Sequence, residues 1–306
     1  MTVSVSNLKR VTCVVSDAEV ACAYLEKLFR AQRLENVPSH VQAGGSVRVF
    51  HIGLGDLVIE FVEPLSSDSL WRRRLEGEGP HVVSLAYGVA DLDQAIIDLS
   101  GEGLKLVETA SSGVWCRCRH VIGVDLVFEP CPGHDRETET RGAWGDVSPM
   151  LHVEITHDNI AAAGDWLARL FGSTIVEKDF SKFLVGITAG RMKIQHVNLG
   201  DAVIQYIQPR HDAGPWWDLL QAYGPSVHNI TWLVNDMAAV ADASQQAGTR
   251  DLRYFEFDYS PLFGVENKIG DITIGRIIDC AHILGFHLEL TERQARNIND
   301  FMFKTV

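Results

Sequence analysis

The chain reads as an α+β protein in which one unit of strand, helix and about three strands is written four times. Three observations carry this reading. First, sliding the sequence on itself lays "DAEVACAYLEKLF" (17–29) on "NIAAAGDWLARLF" (159–171), a shift of 142 residues. Second, at a shift of 145, "LGDLVIEFVEP" (54–64) falls on "LGDAVIQYIQP" (199–209), and "VADLDQAIIDLSGEG" (89–103) falls on "VNDMAAVADASQQAG" (234–248). A near-constant shift over that span marks two duplicate halves. Third, each half divides again, because short branched and apolar runs recur at 8–15, 81–89, 150–156 and 226–234, each followed by a segment of helical period.

The individual elements follow in chain order. Asp17, Asp91, Asn159 and Asp236 stand where a side-chain oxygen satisfies the free N–H groups of a helix start. Gly103 and Gly248 stand where a helix commonly ends in a left-handed residue. Strand-like runs follow the helices, among them "SVRVFHIGLG", "DLVIEFVEP", "GVDLVFEP" and "GFHLEL". The polar, turn-rich stretch "PGHDRETETRGAWGDVS" (132–148) joins the halves. Domains are therefore expected at 1–135 and 148–306.

A length of 306 residues suits two domains, each able to bury a core. Hydrophobic residues make up 46% and charged residues 22%, so disorder is not indicated. The formal net charge of -13 repels phosphate backbones and anionic lipid, which argues against nucleic acid as a partner. No apolar run approaches the roughly 20 residues of a membrane span. The start "MTVSVSNLKRVTCVV" lacks the layout of a secretory signal, and six cysteines form no dense framework, so a reduced, cytoplasmic protein is expected.

The duplicate strands "GPHVVSLAYGV" (79–89) and "GPSVHNITWLV" (224–234) differ where one has Val83 and the other His228. With that difference in view, the four-unit pattern resembles the vicinal oxygen chelate superfamily, which includes glyoxalase I, methylmalonyl-CoA epimerase and the type I extradiol dioxygenases. The resemblance spans roughly 8–292. It implies that paired βαβββ units form cup-shaped curved sheets, with a divalent metal held inside by the first and last strands of each unit.

Carried over position by position, the resemblance assigns His152, Gln205, His228 and Glu289 as metal ligands in the second half. The matching first-half positions are Arg10, Glu60, Val83 and Val127. Arginine stays protonated and valine has no lone pair to give, so the first cup is expected to lack a metal. Imidazole nitrogen with amide and carboxylate oxygen suits Co, Ni, Zn, Mn or Fe as a divalent ion. A bound cation of this kind stabilises an enolate on a substrate carbonyl.

The ligand order is similar to that of methylmalonyl-CoA epimerase, and it implies an isomerase, epimerase or lyase acting on a small carbonyl compound. Two alternatives stand beside it. One is an Fe(II) ring-cleaving dioxygenase using His152, His228 and Glu289, and the other is a protein that sequesters a hydrophobic ligand without catalysis. Strand alternation puts Glu154 beside His152 and His287 beside Glu289, and Lys193 faces inward if Gln195 does. These three are the candidate acids or bases, with Glu154 favoured because desolvation raises a carboxyl pKa toward neutrality.

Trp232, Tyr254 and Tyr259 are candidate substrate contacts, although core packing accounts equally well for Trp232. The tyrosines belong to an insertion, "RYFEFDYSPLFGVENKIGD" (253–271), expected to form a lid or pocket wall. The terminal "ERQARNINDFMFKTV" is expected to be either a helix packed on the outside or a contact between two copies in a homodimer.

Overall fold

The computed structural model describes residues 2–41, 46–131, 143–177, 192–210, 214–257 and 273–292. The first half runs β1 (Val5–Val14), α1 (Ala18–Phe29), β2 (Gln32–Leu34), β3 (Val47–Leu54), β4 (Leu57–Pro64), α2 (Leu70–Glu78), β5 (His81–Val89), α3 (Leu92–Gly101), β6 (Leu106–Glu108), β7 (Val114–Cys116), α4 (Arg119–Ile122) and β8 (Asp125–Pro130). The second half repeats that order as β9 (His152–Thr156), α5 (Ile160–Phe171), β10 (Ile175–Glu177), β11 (Met192–Leu199), β12 (Ala202–Pro209), α6 (Pro215–Tyr223), β13 (Ser226–Val234), α7 (Met237–Gln246), β14 (Asp251–Phe257), β15 (Thr273–Ile278), α8 (Ala281–Leu284) and β16 (His287–Glu292).

Each half makes one curved mixed sheet. The first has the order β2-β3-β4-β1-β5-β8-β7-β6, and the second β10-β11-β12-β9-β13-β16-β15-β14. The two central strands of each sheet, β1 with β5 and β9 with β13, run antiparallel, and each has a parallel partner on its outer side. The expected strand, helix and strands are present, but one-turn helices α4 and α8 precede the last strand of the second and fourth units, and α2 and α6 connect units. The insertion predicted from residue 253 begins as part of strand β14, paired with β15, and residues 258–271 lie outside the described residues.

The four predicted caps close their helices. Asp17, Asp91, Asn159 and Asp236 accept hydrogen bonds from the backbone N–H of Val20, Gln94, Ala162 and Ala239. Helices α1 and α3 cover one face of the first sheet and α5 and α7 the same face of the second, and an apolar core fills the layer between them. This core is continuous across the halves, joining Leu25, Phe61 and Tyr87 to Ile204, Tyr206, Trp232 and Phe286. Tyr24 of α1 and Thr249 share a 2.8 Å hydrogen bond across the same boundary.

The linker end is anchored by two backbone hydrogen bonds between Gly55 and Trp144, at 2.7 and 2.8 Å. Gly55 holds φ +64°, and a Cβ there would lie 2.3 Å from the carbonyl oxygen of Ser148 and 3.1 Å from the Trp232 indole nitrogen. Gly55→Ala is therefore expected to destabilise the protein by more than about 1 kcal/mol, since both backbone conformation and space oppose it. Urea denaturation checks this, and an unchanged midpoint and slope would refute it.

Candidate metal centre

The register of the second sheet lays chemistry-bearing side chains in two rows. In one row, Thr231 of β13 is opposite His152 of β9 on one side and Glu289 of β16 on the other. In the next row, Glu154 of β9 pairs with Gln205 of β12 and with Asn229 of β13, and Asn229 pairs with His287 of β16. His196 of β11 extends this row beyond Gln205. Alternation then puts both rows on the face away from α5 and α7, the face that Trp216 of α6 reaches.

His228 reaches that face by a different route. Regular alternation gives the inward positions of β13 to Asn229 and Thr231, which would turn His228 outward. A β-bulge between Val227 and Asn229 adds one residue against β9, and His228 is that residue. The same irregularity recurs in β5, where the pairing steps from Val82 to Ser84 around Val83. The bulge is thus a feature of the duplicated strand, and only the second copy fills it with an imidazole.

His152, Glu154 and Glu289 are buried and bring ligand atoms within 4.8 Å of one another, a group that can hold a divalent metal ion whose identity is left open. His228 and Gln205, two of the residues expected as ligands, join it through Glu154. His228 Nε2 donates to Glu154 Oε1, and Gln205 Nε2 donates to Glu154 Oε2 at 2.5 Å. Trp216 Nε1 and Asn229 Nδ2 also donate to Glu154 Oε1, at 3.3 and 3.2 Å. Gln205 Oε1 accepts from His196 Nε2 at 2.8 Å, so the amide expected as a ligand is held between two side chains.

The residues fit a cation on an independent ground. Thr231 Oγ1 donates its single hydroxyl hydrogen to Glu289 Oε2 at 3.2 Å, so it must accept from His152 Nε2 at 2.9 Å. His152 then carries a lone pair on Nδ1, and that buried atom has no hydrogen-bond partner among the described residues. Thr156 Oγ1 hydrogen-bonds His228 Nδ1 at 2.9 Å and so orients the second imidazole.

The acid–base candidates separate. Burial pushes the Glu154 carboxyl up, as expected from the sequence, but the charge and hydrogen bond of His228, with His152 and Trp216, outweigh it and hold it below the ordinary value. Glu154 is therefore ionised at neutral pH rather than poised near it. Lys193 does not share the face: Gln205 pairs with His196, so Gln195 and Lys193 fall on the opposite, helix-facing side of β11. There Gln195 packs against Gly164 of α5, where a Cβ would meet Gln195 Oε1 at 2.7 Å. The inward residue of β11 is His196, one position from the expected register.

Trp232 is fully buried in the apolar core, its ring tilted against Phe286 at 6.3 Å, so it packs the fold instead of lining the site. Tyr254 contributes backbone to β14, but its side chain, Tyr259 and the segment from 293 onward lie outside the described residues. Asn229, Thr231, Thr156, His196 and Trp216 belong to the constellation, and the hydrogen-bond needs of the imidazoles and carboxylates were the signal for them.

The first sheet offers a direct contrast. Val83 and Val127 pack with Val14, Val62, Trp71 and Trp115 in an apolar cluster. Beside it, Glu60 receives Arg10 Nη1 at 3.0 Å, His51 Nε2 at 2.8 Å and Thr12 Oγ1 at 3.3 Å. Burial would raise the Glu60 pKa, but the His51 hydrogen bond and the charges of Arg10, His40 and His51 bring it down to about 2.

No protein-family model matches the chain, and no curated protein matches it. Among solved structures, a triple mutant of 4-hydroxymandelate synthase from Streptomyces coelicolor aligns with a TM-score of 0.63 at 14% identity, covering 94% of this chain and 93% of that one. A xylose isomerase-like TIM barrel/4-hydroxyphenylpyruvate dioxygenase fusion protein aligns with a TM-score of 0.63 at 15% identity, over 96% of this chain and 50% of the fusion protein, so the chain spans half of its length. A methylmalonyl-CoA epimerase from Mycobacterium tuberculosis covers 43% of this chain at 22% identity with a TM-score of 0.37, too low to bear on the reading. The likeness to the first two shows that this chain shares their fold.

His287 supplies a pH test. Burial, followed by the charge of His228, lowers its pKa from 6.5 to about 4, with Asp279 partly opposing the shift. Above pH 6.5 the folded and unfolded states both leave it neutral. As pH falls from 6.5 toward 4, the unfolded chain binds a proton that the fold refuses, and up to roughly 3 kcal/mol of stability is lost. His287→Asn is expected to flatten that decline in urea titrations at successive pH values, and an identical decline in both proteins would refute the assignment.

Proposed function

We propose that the chain is a divalent-metal-dependent enzyme acting on a small carbonyl substrate, with domains at 1–135 and 148–306 and its metal in the second. The observation that carries this is a difference in built-in charge. In the first sheet Arg10 supplies the cation that matches Glu60. In the second, Glu154 and Glu289 are both buried, and among the described residues their ion pairs are with His228 and His152. Two carboxylates matched by imidazoles, at least one of which keeps a free lone pair, form a site that gains from a cation of its own.

In this reading His152, His228 and Glu289 hold the ion, with Gln205 alongside. The metal would supply Lewis-acid polarisation of a substrate oxygen. Glu154, ionised and adjacent, takes the proton from the carbon next to the carbonyl. Trp216 and Asn229 fix Glu154 Oε1 and Gln205 fixes Oε2, and burial keeps water from competing for that carboxylate. The reaction class is an isomerisation, epimerisation or lyase step through an enolate.

A second reading is favoured by two observations. The pairing of Gln205 Oε1 with His196 takes the amide oxygen, and His152, His228 and Glu289 then make two imidazoles and one carboxylate, the set used by non-haem Fe(II) oxygenases, with His228 exchanging its Glu154 contact for the ion. The two whole-chain structural likenesses are to proteins named for 4-hydroxymandelate synthase and 4-hydroxyphenylpyruvate dioxygenase.

Metal analysis of protein purified without added metal, followed by solvent deuterium exchange into a carbonyl panel, separates the readings. The enolate reading expects one divalent ion per chain, exchange into at least one substrate, and a loss of roughly a hundredfold or more in exchange rate with Glu154→Gln while the metal is retained. Iron with oxygen uptake and no exchange would move the assignment to the oxygenase. Absence of metal would refute both enzyme readings and leave the ligand-sequestering protein. His228→Ala is expected to lose the ion while the first half stays folded.

A further inference from the structure

The first half holds a cationic pocket that the proposed chemistry does not use. Arg74 of α2, Arg117, Arg119 and His120, together with Glu78, Asp125 and Tyr223 of the second half, line an open pocket of about 450 Å³. In a chain whose formal net charge is -13, three guanidinium groups facing two carboxylates form a local excess of positive charge.

Both carboxylates are already engaged. Asp125 accepts from Trp115 Nε1 at 2.9 Å, the Arg119 backbone N–H at 3.0 Å and Arg117 Nη1 at 3.3 Å. Glu78 pairs with Arg119, and His81 Nε2 stands 3.5 Å from it. Arg74 is less well matched: its Nη2 is 4.0 Å from Asp125, and its Nη1 is buried with no hydrogen-bond partner among the described residues. A buried donor left unmatched is costly, and a guanidinium offers the most where an oxyanion can meet it with two oxygens.

The arginines are also held in place. The Arg74 guanidinium lies 5.8 Å over the Trp71 ring and that of Arg117 lies 5.1 Å over Trp115, with the two indoles 5.9 Å apart. Stacking on an aromatic face fixes a guanidinium plane and lowers the entropy lost when it binds. Burial and the charge of Arg117 press the Arg74 pKa below its ordinary value, a strain that an incoming anion would relieve.

We propose that this pocket binds an oxyanion group, a carboxylate or a phosphate, between the Arg74 and Arg117 guanidinium groups. None of the side chains that line it is among the proposed metal ligands. Isothermal titration of the full chain with inorganic phosphate, and separately with benzoate, at ionic strength matched with sodium chloride, tests it.

Saturable binding of at least one anion is expected. Phosphate alone would identify a phosphate site, and benzoate alone a carboxylate site. Arg74→Met is expected to weaken binding by roughly tenfold to hundredfold. Arg117→Gln, which leaves the α2 packing in place, is expected to weaken it in the same direction, so a misfolded Arg74 variant does not decide the matter. His228→Ala should leave anion binding intact even if it loses metal. No saturable heat with either anion, or undiminished binding in Arg117→Gln, would overturn the proposal.

Discussion

A carboxylate taken out of water must be matched, because an uncompensated buried charge costs several kcal/mol. In the second half that constraint centres on Glu154, which is 3% exposed. Four donors from three elements converge on it: His228 and Asn229 from β13, Gln205 from β12 and Trp216 from α6. The carboxylate thus ties the central strand pair to an outer strand and to the connecting helix. The geometry of the candidate centre is a consequence of satisfying this one group.

The two halves solve the same problem with the charge on different strands. In the first, the carboxylate is Glu60 on β4, and Thr12 of β1 hydrogen-bonds to it. In the second, the equivalent of Thr12 is Glu154 on β9, and the equivalent of Glu60 is the neutral Gln205. Arg10 occupies the place that His152 takes. A guanidinium is permanently charged and has no lone pair to give, and Arg10 already meets Glu60, the Pro38 carbonyl and Glu129, so this position supplies its own cation, and Val83 and Val127 pack beside it as apolar surface. An imidazole can give up its proton and offer a lone pair, which keeps the second sheet open to a cation.

Much of this was legible in the sequence, for physical reasons that also explain the rest. The caps at Asp17, Asp91, Asn159 and Asp236 were readable because an N-cap depends only on neighbours three residues away. The duplicated register was readable because both halves keep the same turns. Lys193 was misplaced by one residue because the period of two makes a single-step error invert every side chain, and only the pairing of His196 with Gln205 fixes the phase. Trp232 was ambiguous because a strand buried on both faces gives no alternation to read.

The bulge at His228 shows most clearly where local reading ends. Asn229 and Thr231 hold the inward register, and without an extra residue between Val227 and Asn229 the imidazole would point toward the helices. No periodicity signals such an insertion, because the strand on either side of it is regular. The duplicate supplies the missing information: β5 carries the same irregularity around Val83, where a valine on the inner face joins an apolar cluster. A backbone irregularity kept in both copies, with only its side chain changed, means that the scaffold positions an inward residue there whatever its chemistry. The difference between a closed apolar cup and a centre able to hold a cation therefore lies in side-chain substitutions on a shared backbone, His228 for Val83, Glu289 for Val127 and His152 for Arg10, and not in any change of fold.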